Sequence, residues 1–202
     1  MPLREEHRRL TEALKHASRV LKDAEVPFLL AGGLASWARG GPQTDHDVDV
    51  FVRPEDADAA LAAFEEAGFK TEKPPEAWLY KAYDEDETLI DIIFEPSGGP
   101  VGDEYFNHAE TLEVMAVSMQ VASLEDVLTT KLLALTEQEP DFGSVLAISR
   151  MLREQVNWDH VRERTQDSAF AKAFFTLVEE LGIVPRSKSG VGSADAMTTS
   201  IG

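Results

Sequence analysis

The sequence predicts an α+β fold, a mixed sheet flanked by helices and followed by a C-terminal helical module. Three observations carry that expectation. The apolar run Phe28-Leu29-Leu30-Ala31 halts at Gly32-Gly33, as a buried strand entering a tight turn does. Residues 47–52 alternate strictly, with Val48, Val50 and Val52 on one face and Asp47, Asp49 and Phe51 on the other, the period of a half-buried strand. From Leu124 onward the apolar residues change to helical spacing.

Each element can be justified in turn. Leu3, Leu10, Leu14, Ala17 and Leu21 recur at helical intervals over residues 3–23, with Arg8, Lys15, Arg19 and Lys22 along another part of the cylinder. After the strand that begins at Pro27, a short helix over 34–40 is ended by Gly40-Gly41-Pro42. Pro54 suits the first turn of the next helix, Glu55 and Asp56 suit its positive end, and Gly68 closes it. Between Phe69 and Ser123 the pattern is β-rich, with strands expected at 69–73, 77–83, 87–95 and 112–121 and a loop at Ser97-Gly98-Gly99-Pro100 and Gly102. Helices are expected at 124–137, 141–154, 158–166 and 169–182, the last ended by Gly182 and Pro185. The expected organisation is an α/β domain over 1–123, a helical module over 124–185 and a flexible Ser/Gly/Thr-rich tail over 186–202.

Composition limits the function classes. The chain has 202 residues, no cysteine and a formal net charge of −18. Residues 24–130 hold five basic and 23 acidic side chains, whereas the remainder holds fourteen of each. That acidic middle disfavours a phosphodiester backbone as the main partner and is compatible with a divalent metal or a cationic substrate, although a solvated acidic surface accounts for most of it. Without cysteine there is no disulfide, thiolate metal site or cysteine nucleophile. No apolar run approaches the roughly 20 residues that span a bilayer, and MPLREEHRRL carries no secretory stretch, so the expected location is cytoplasmic, with no membrane partner.

Three stretches offer chemistry. Gly32-Gly33, between strand and helix, permits close backbone approach to a ligand and leads into a helix N-terminus that favours phosphate. Asp47 and Asp49, two apart on a strand, put two carboxylates side by side, and such like charges need a counter-cation to remain ionised. Oxygen ligands of this kind suit Mg²⁺. Asp91 interrupts the apolar run Leu89-Ile90-Asp91-Ile92-Ile93-Phe94, where a carboxylate must be paired, bind metal or be protonated. Asp45-His46-Asp47 forms a second, overlapping pair. Asp47 and Asp49 are preferred because they leave the valine face unbroken, with Asp45 a further possible ligand.

Taken together, LLAGGLASWARGGPQTDHDVDVFV and the later LIDIIF resemble the nucleotidyltransferase superfamily of DNA polymerase β-like fold, which makes the expected fold a nucleotidyltransferase-like mixed sheet. VASLEDVLTTKLLAL is similar to the helix that follows the sheet in small bacterial members, including abortive-infection-type toxins and antibiotic nucleotidyltransferases. The resemblance implies a catalytic domain over 1–123 that moves an NMP from an NTP to a hydroxyl acceptor, with pyrophosphate leaving. Asp47, Asp49 and Asp91 would hold two Mg²⁺ or Mn²⁺ ions, and Asp91 would also act as general base or orienter. Gly32 and Gly33 would cradle phosphates, with Thr44 and Lys131 further nucleotide contacts. Capping the strand entry is an equal role for Thr44, and lying along an amphipathic helix is one for Lys131.

The acceptor is a small molecule slightly ahead of a tRNA end or a protein. Ala35-Ser36 replaces the Arg-Asp of CCA-adding enzymes, which argues against that activity. Glu137-Gln138-Glu139-Pro140-Asp141 stands where several members of the resembled family carry a basic-plus-acidic cluster and leaves the triphosphate side short of positive charge. A non-catalytic nucleotide-binding protein or a toxin–antitoxin component is the alternative.

Overall fold

The computed structural model describes residues 2–44 and 47–186, so Asp45 and His46, and with them the choice between overlapping aspartate pairs, lie outside the described residues, as does the tail from 187. One seven-stranded mixed sheet organises the chain, with strands in the order β3-β4-β5-β2-β1-β7-β6. These are β1 (Leu29–Leu30), β2 (Asp47–Phe51), β3 (Lys70–Glu72), β4 (Leu79–Tyr83), β5 (Leu89–Ile93), β6 (Glu110–Val114) and β7 (Val117–Val121). β2 runs parallel to β5 and β1 parallel to β7, while the other neighbours are antiparallel.

The valine face predicted for β2 is buried. Val48, Val50 and Val52 pack with Ile90 and Ile92 of β5 under α1 (Pro2–Asp23) and α3 (Ala57–Glu66), beside Leu14, Leu21 and Phe64. Burying side chains of this size contributes about 1.5–3 kcal/mol each, which holds the sheet's other face free for polar work. Pro54 opens a 3₁₀ turn over Pro54–Asp56 that leads into α3.

Three expectations are corrected. The single strand over 112–121 is a hairpin, β6 and β7, joined at Met115-Ala116. Both turn residues have positive φ, +50° and +64°, without the glycine or asparagine that marks such a turn in sequence. The stretch after Gly102 contains a helix, α4 (Asp103–His108), which buries Tyr105 edge-on against Phe51. The helix expected over 34–40 is α2 (Gly32–Trp37), which begins at the glycines themselves.

A second buried cluster lies among α5 (Leu124–Leu133), α6 (Gly143–Leu152), α7 (Trp158–Arg164) and α8 (Ala169–Glu180). α5 belongs to both cores, since Val127 packs with the sheet side while Leu124, Leu128 and Leu132 pack with the helices. Its N-terminus is held by Ser123, whose hydroxyl accepts from the Asp126 N–H at 3.1 Å. The fully buried Asp126 carboxylate accepts from Ser123 Oγ at 2.6 Å and from Arg164 Nη1 on α7 at 2.5 Å. This fixes α5 against α7, and α5 in turn carries Lys131. No helix among the described residues is long and apolar enough to cross a membrane.

Candidate active site

The strand alternation that buries the valines turns Asp47 and Asp49 to the opposite face. Register completes the group: Asp49 of β2 is aligned with Asp91 of β5 in the parallel pair, so both side chains leave the same face of adjacent strands. One oxygen from each of Asp47, Asp49 and Asp91 lies within 4.8 Å of the others. Three carboxylates this close repel one another, and burial adds to the penalty. Burial first, then the Asp47 charge, pushes Asp49 up to about 7, and Asp91 adds to the rise while Lys131 and the Gly33 N–H oppose it. Burial likewise raises Asp91, with Lys81 opposing and Asp47 reinforcing the shift. Asp91 Oδ1 is buried without a hydrogen-bond partner.

The glycine pair has a specific local cause. Gly32 has φ +56°, and a β-carbon there would lie 1.7 Å from Asp49 Oδ2, so only glycine leaves space for that carboxylate. The Ala31 N–H donates to the Asp49 carbonyl at 2.9 Å and keeps the turn against β2. Gly33 meets Thr44 instead, where an added β-carbon would be 2.8 Å from Oγ1.

Asp49 and Gly32 open onto a cleft of about 880 Å³ between the sheet and α5. Its wall includes Phe51 and Ile93 from the sheet, Trp78 at the mouth, and Thr130 and Lys131 from α5. Gly32 and Lys131 therefore share the cleft with Asp49, whereas Gly33 and Thr44 pack on each other outside its lining. Glu76, Glu95 and Glu139 line it as well, and Lys131 is the one basic residue on the wall among the described residues. The arginines lie elsewhere. Arg39 donates to the Ala35 and Val121 carbonyls and to Glu110, Arg162 pairs with Glu179, and Arg164 with Asp126.

Sequence reasoning missed Lys81. Its position in Leu79-Tyr80-Lys81-Ala82-Tyr83 resembles any polar position of an alternating strand, and only the β4–β5 register puts it opposite Asp91. That register is set at the hairpin end, where Asp84 Oδ1 accepts from the Asp86 and Thr88 N–H groups at 2.9 and 2.8 Å. Trp78, which is 40% exposed, is brought to the cleft wall by tertiary structure alone.

Comparison with known proteins agrees with this geometry. Residues 13–96, which contain all three aspartates and both glycines, match the family model described as aminoglycoside-2''-adenylyltransferase. The solution structure of the antibiotic-resistance factor ANT(2'')-Ia superposes with a TM-score of 0.57 at 14% identity, covering 85% of this chain and 96% of that one. The crystal structure of ANT(2'')-Ia in complex with adenylyl-2''-tobramycin gives 0.59 at 12% identity, covering 81% and 98%. Among curated proteins no significant match is found. The matched segment and the superpositions make the chain similar to the aminoglycoside adenylyltransferases and show that it has the nucleotidyltransferase fold, with the aspartate group on its sheet.

Proposed function

We propose that the protein is a metal-dependent nucleotidyltransferase that moves an NMP from an NTP to a hydroxyl of a small cationic acceptor. The observation that carries this reading is the convergence of Asp47, Asp49 and Asp91 oxygens within 4.8 Å, with Asp49 on the wall of a roughly nucleotide-sized cleft. The donor set fits Mg²⁺ or Mn²⁺: three carboxylates with one buried oxygen unpartnered, aligned on a rigid sheet. Asp47 and Asp49 would hold the nucleotide-side ion, and Asp91 would share in a second. Such ions supply Lewis-acid neutralisation of the phosphate oxygens.

The chain's own residues do the rest. Lys131, on the cleft wall, offers its ammonium to a phosphate oxygen. Gly32 keeps the Asp49 carboxylate in place by having no side chain of its own. Asp91 takes the acceptor's hydroxyl proton as the new oxygen–phosphorus bond forms, while the bond between the α-phosphorus and the bridging oxygen breaks and pyrophosphate leaves. Glu76, Glu95 and Glu139 favour an acceptor that carries ammonium groups, and Trp78 offers a flat face at the mouth. The family match, and the neighbour seen with adenylyl-2''-tobramycin, support an amino-sugar-like acceptor and ATP as donor. Residues 1–123 would form the catalytic unit, and 124–185 a helical module that carries Lys131 and closes one wall.

A second reading, nucleotide binding without transfer, is favoured by the single basic residue on the cleft wall. Thermal unfolding with each NTP, with and without Mg²⁺, followed by pyrophosphate release on cationic acceptors, separates the two. Metal-dependent stabilisation that is lost in Asp49→Asn supports the site. Pyrophosphate release then supports transfer, and stabilisation without release against any acceptor supports binding alone. No stabilisation by any NTP overturns both.

A further inference from the structure

Across four neighbouring strands, Glu72, Lys81, Asp91 and Asp49 stand in one register row on the face that carries the site. Lys81 is the cation in that row. Its Nζ lies 3.7 Å from Asp91 Oδ1, the oxygen that is buried without a hydrogen-bond partner. That separation is an ion pair just beyond hydrogen-bond reach, and the two side chains are only 29% and 14% exposed. The Lys81 head is therefore held beside Asp91 by electrostatics and strand register, with no directional bond to fix it there. A four-carbon stem lets such a head withdraw at little cost.

We propose that Lys81 is an exchangeable internal counter-cation, a positioning residue that holds Asp91 in the metal-free protein and gives up Oδ1 when a divalent ion arrives. The proposal rests on the reading of the three aspartates as metal ligands. It gives Lys81 a task distinct from that of Lys131, which stands on α5 and offsets the charge of Asp49, whereas Lys81 is the cation paired with Asp91. With Lys81 present, Asp91 has a compensating charge of its own and stays aligned with Asp49. Each divalent ion entering next to Asp91 must displace that charge, so Lys81 lowers metal affinity in the absence of nucleotide. The physical consequence is a site that binds metal weakly alone and firmly with the nucleotide's phosphates, which keeps the carboxylates from being occupied unproductively.

The test uses the full chain, nucleotide-free, titrated with Mn²⁺ alone and followed by electron paramagnetic resonance, in wild type, Lys81→Met, Lys81→Arg and Asp91→Asn. The expected result is Mn²⁺ binding about threefold or more tighter in Lys81→Met, close to wild type in Lys81→Arg, and far less sensitive to Lys81 once Asp91 is Asn, as for a cation that competes with the ion for the Asp91 carboxylate. Metal-free thermal unfolding should show Lys81→Met less stable than wild type, with that loss absent in the Asp91→Asn background. Unchanged or weaker Mn²⁺ binding by a folded Lys81→Met, or a gain that persists undiminished with Asp91→Asn, overturns the proposal while leaving the metal site intact. Absence of saturable Mn²⁺ binding in every variant, wild type included, overturns the metal reading itself and the proposal with it.

Discussion

Gly32 and Asp49 are mutually required: the carboxylate of one occupies the space that a β-carbon on the other would fill, 1.7 Å from Oδ2. Gly32→Ala must therefore move either the turn or the carboxylate, and it also places a β-carbon at φ +56°. The expected cost is about 2 kcal/mol or more of stability, from left-handed strain and displacement combined. Mn²⁺ and metal-dependent NTP binding should be lost with it. Denaturant unfolding and Mn²⁺ titration check the two effects, and wild-type behaviour in both would show that the turn has room this geometry denies.

Asp49 links stability to pH. Its pKa rises from 3.8 to about 7 on folding, so the folded state keeps a proton that the unfolded chain releases. Stability then falls as pH rises from about 4 to about 7, and the penalty stays constant above that. In EDTA, Asp49→Asn should be more stable than wild type at pH 8 by about 2 kcal/mol, and the gap should close toward pH 4. Melting temperatures measured across that range report it. A variant less stable than wild type at pH 8 would make Asp49 a structural residue.

Asp91 has a separate expected signature. Asp91→Asn should retain metal-dependent NTP stabilisation through Asp47 and Asp49, and lose transfer by about 10²–10⁴-fold with removal of the proton acceptor. Equal loss of binding and transfer would assign Asp91 to nucleotide binding instead.

The acidic cleft wall should be read by the acceptor. Glu95→Gln and Glu76→Gln should raise KM for a polycationic acceptor about threefold to tenfold each, with kcat and the NTP KM little changed. Both effects should shrink at high salt. A raised NTP KM with an unchanged acceptor KM would reverse the assignment of the two ends of the cleft.

The buried Arg164–Asp126 pair joins α7 to α5. Arg164→Met leaves the fully buried Asp126 carboxylate with only His108 Nδ1, 3.5 Å away, in place of the arginine and should destabilise by about 3 kcal/mol, whereas the double variant with Asp126→Asn should recover part of that loss. Denaturant midpoints of the three variants measure the coupling.

Much of this protein was legible in its residues alone. The period of two over residues 47–52 assigned the valines to a core and the aspartates to the other face, because a pleated strand offers no third option. Asp91 was conspicuous as a carboxylate among large apolar neighbours. The helical spacing of α1 and of the C-terminal helices was equally plain, since an amphipathic stripe has to face a core.

What escaped sequence reasoning depends on which strands become neighbours. Periodicity gives a side chain its face and says nothing of the strand beside it, so Lys81 acquired meaning only through the Asp84-capped hairpin that aligns it with Asp91. The β6–β7 hairpin turns at Met115-Ala116, where tertiary packing outweighs the lack of turn residues. Glu76, Glu95 and Glu139 come from separate loops and share a wall only because α5 closes over the sheet. The sequence by itself determined the faces and the three carboxylates, which local chain geometry dictates. The tertiary structure decided the company those carboxylates keep, because strand order and register are set by contacts between residues far apart in the chain.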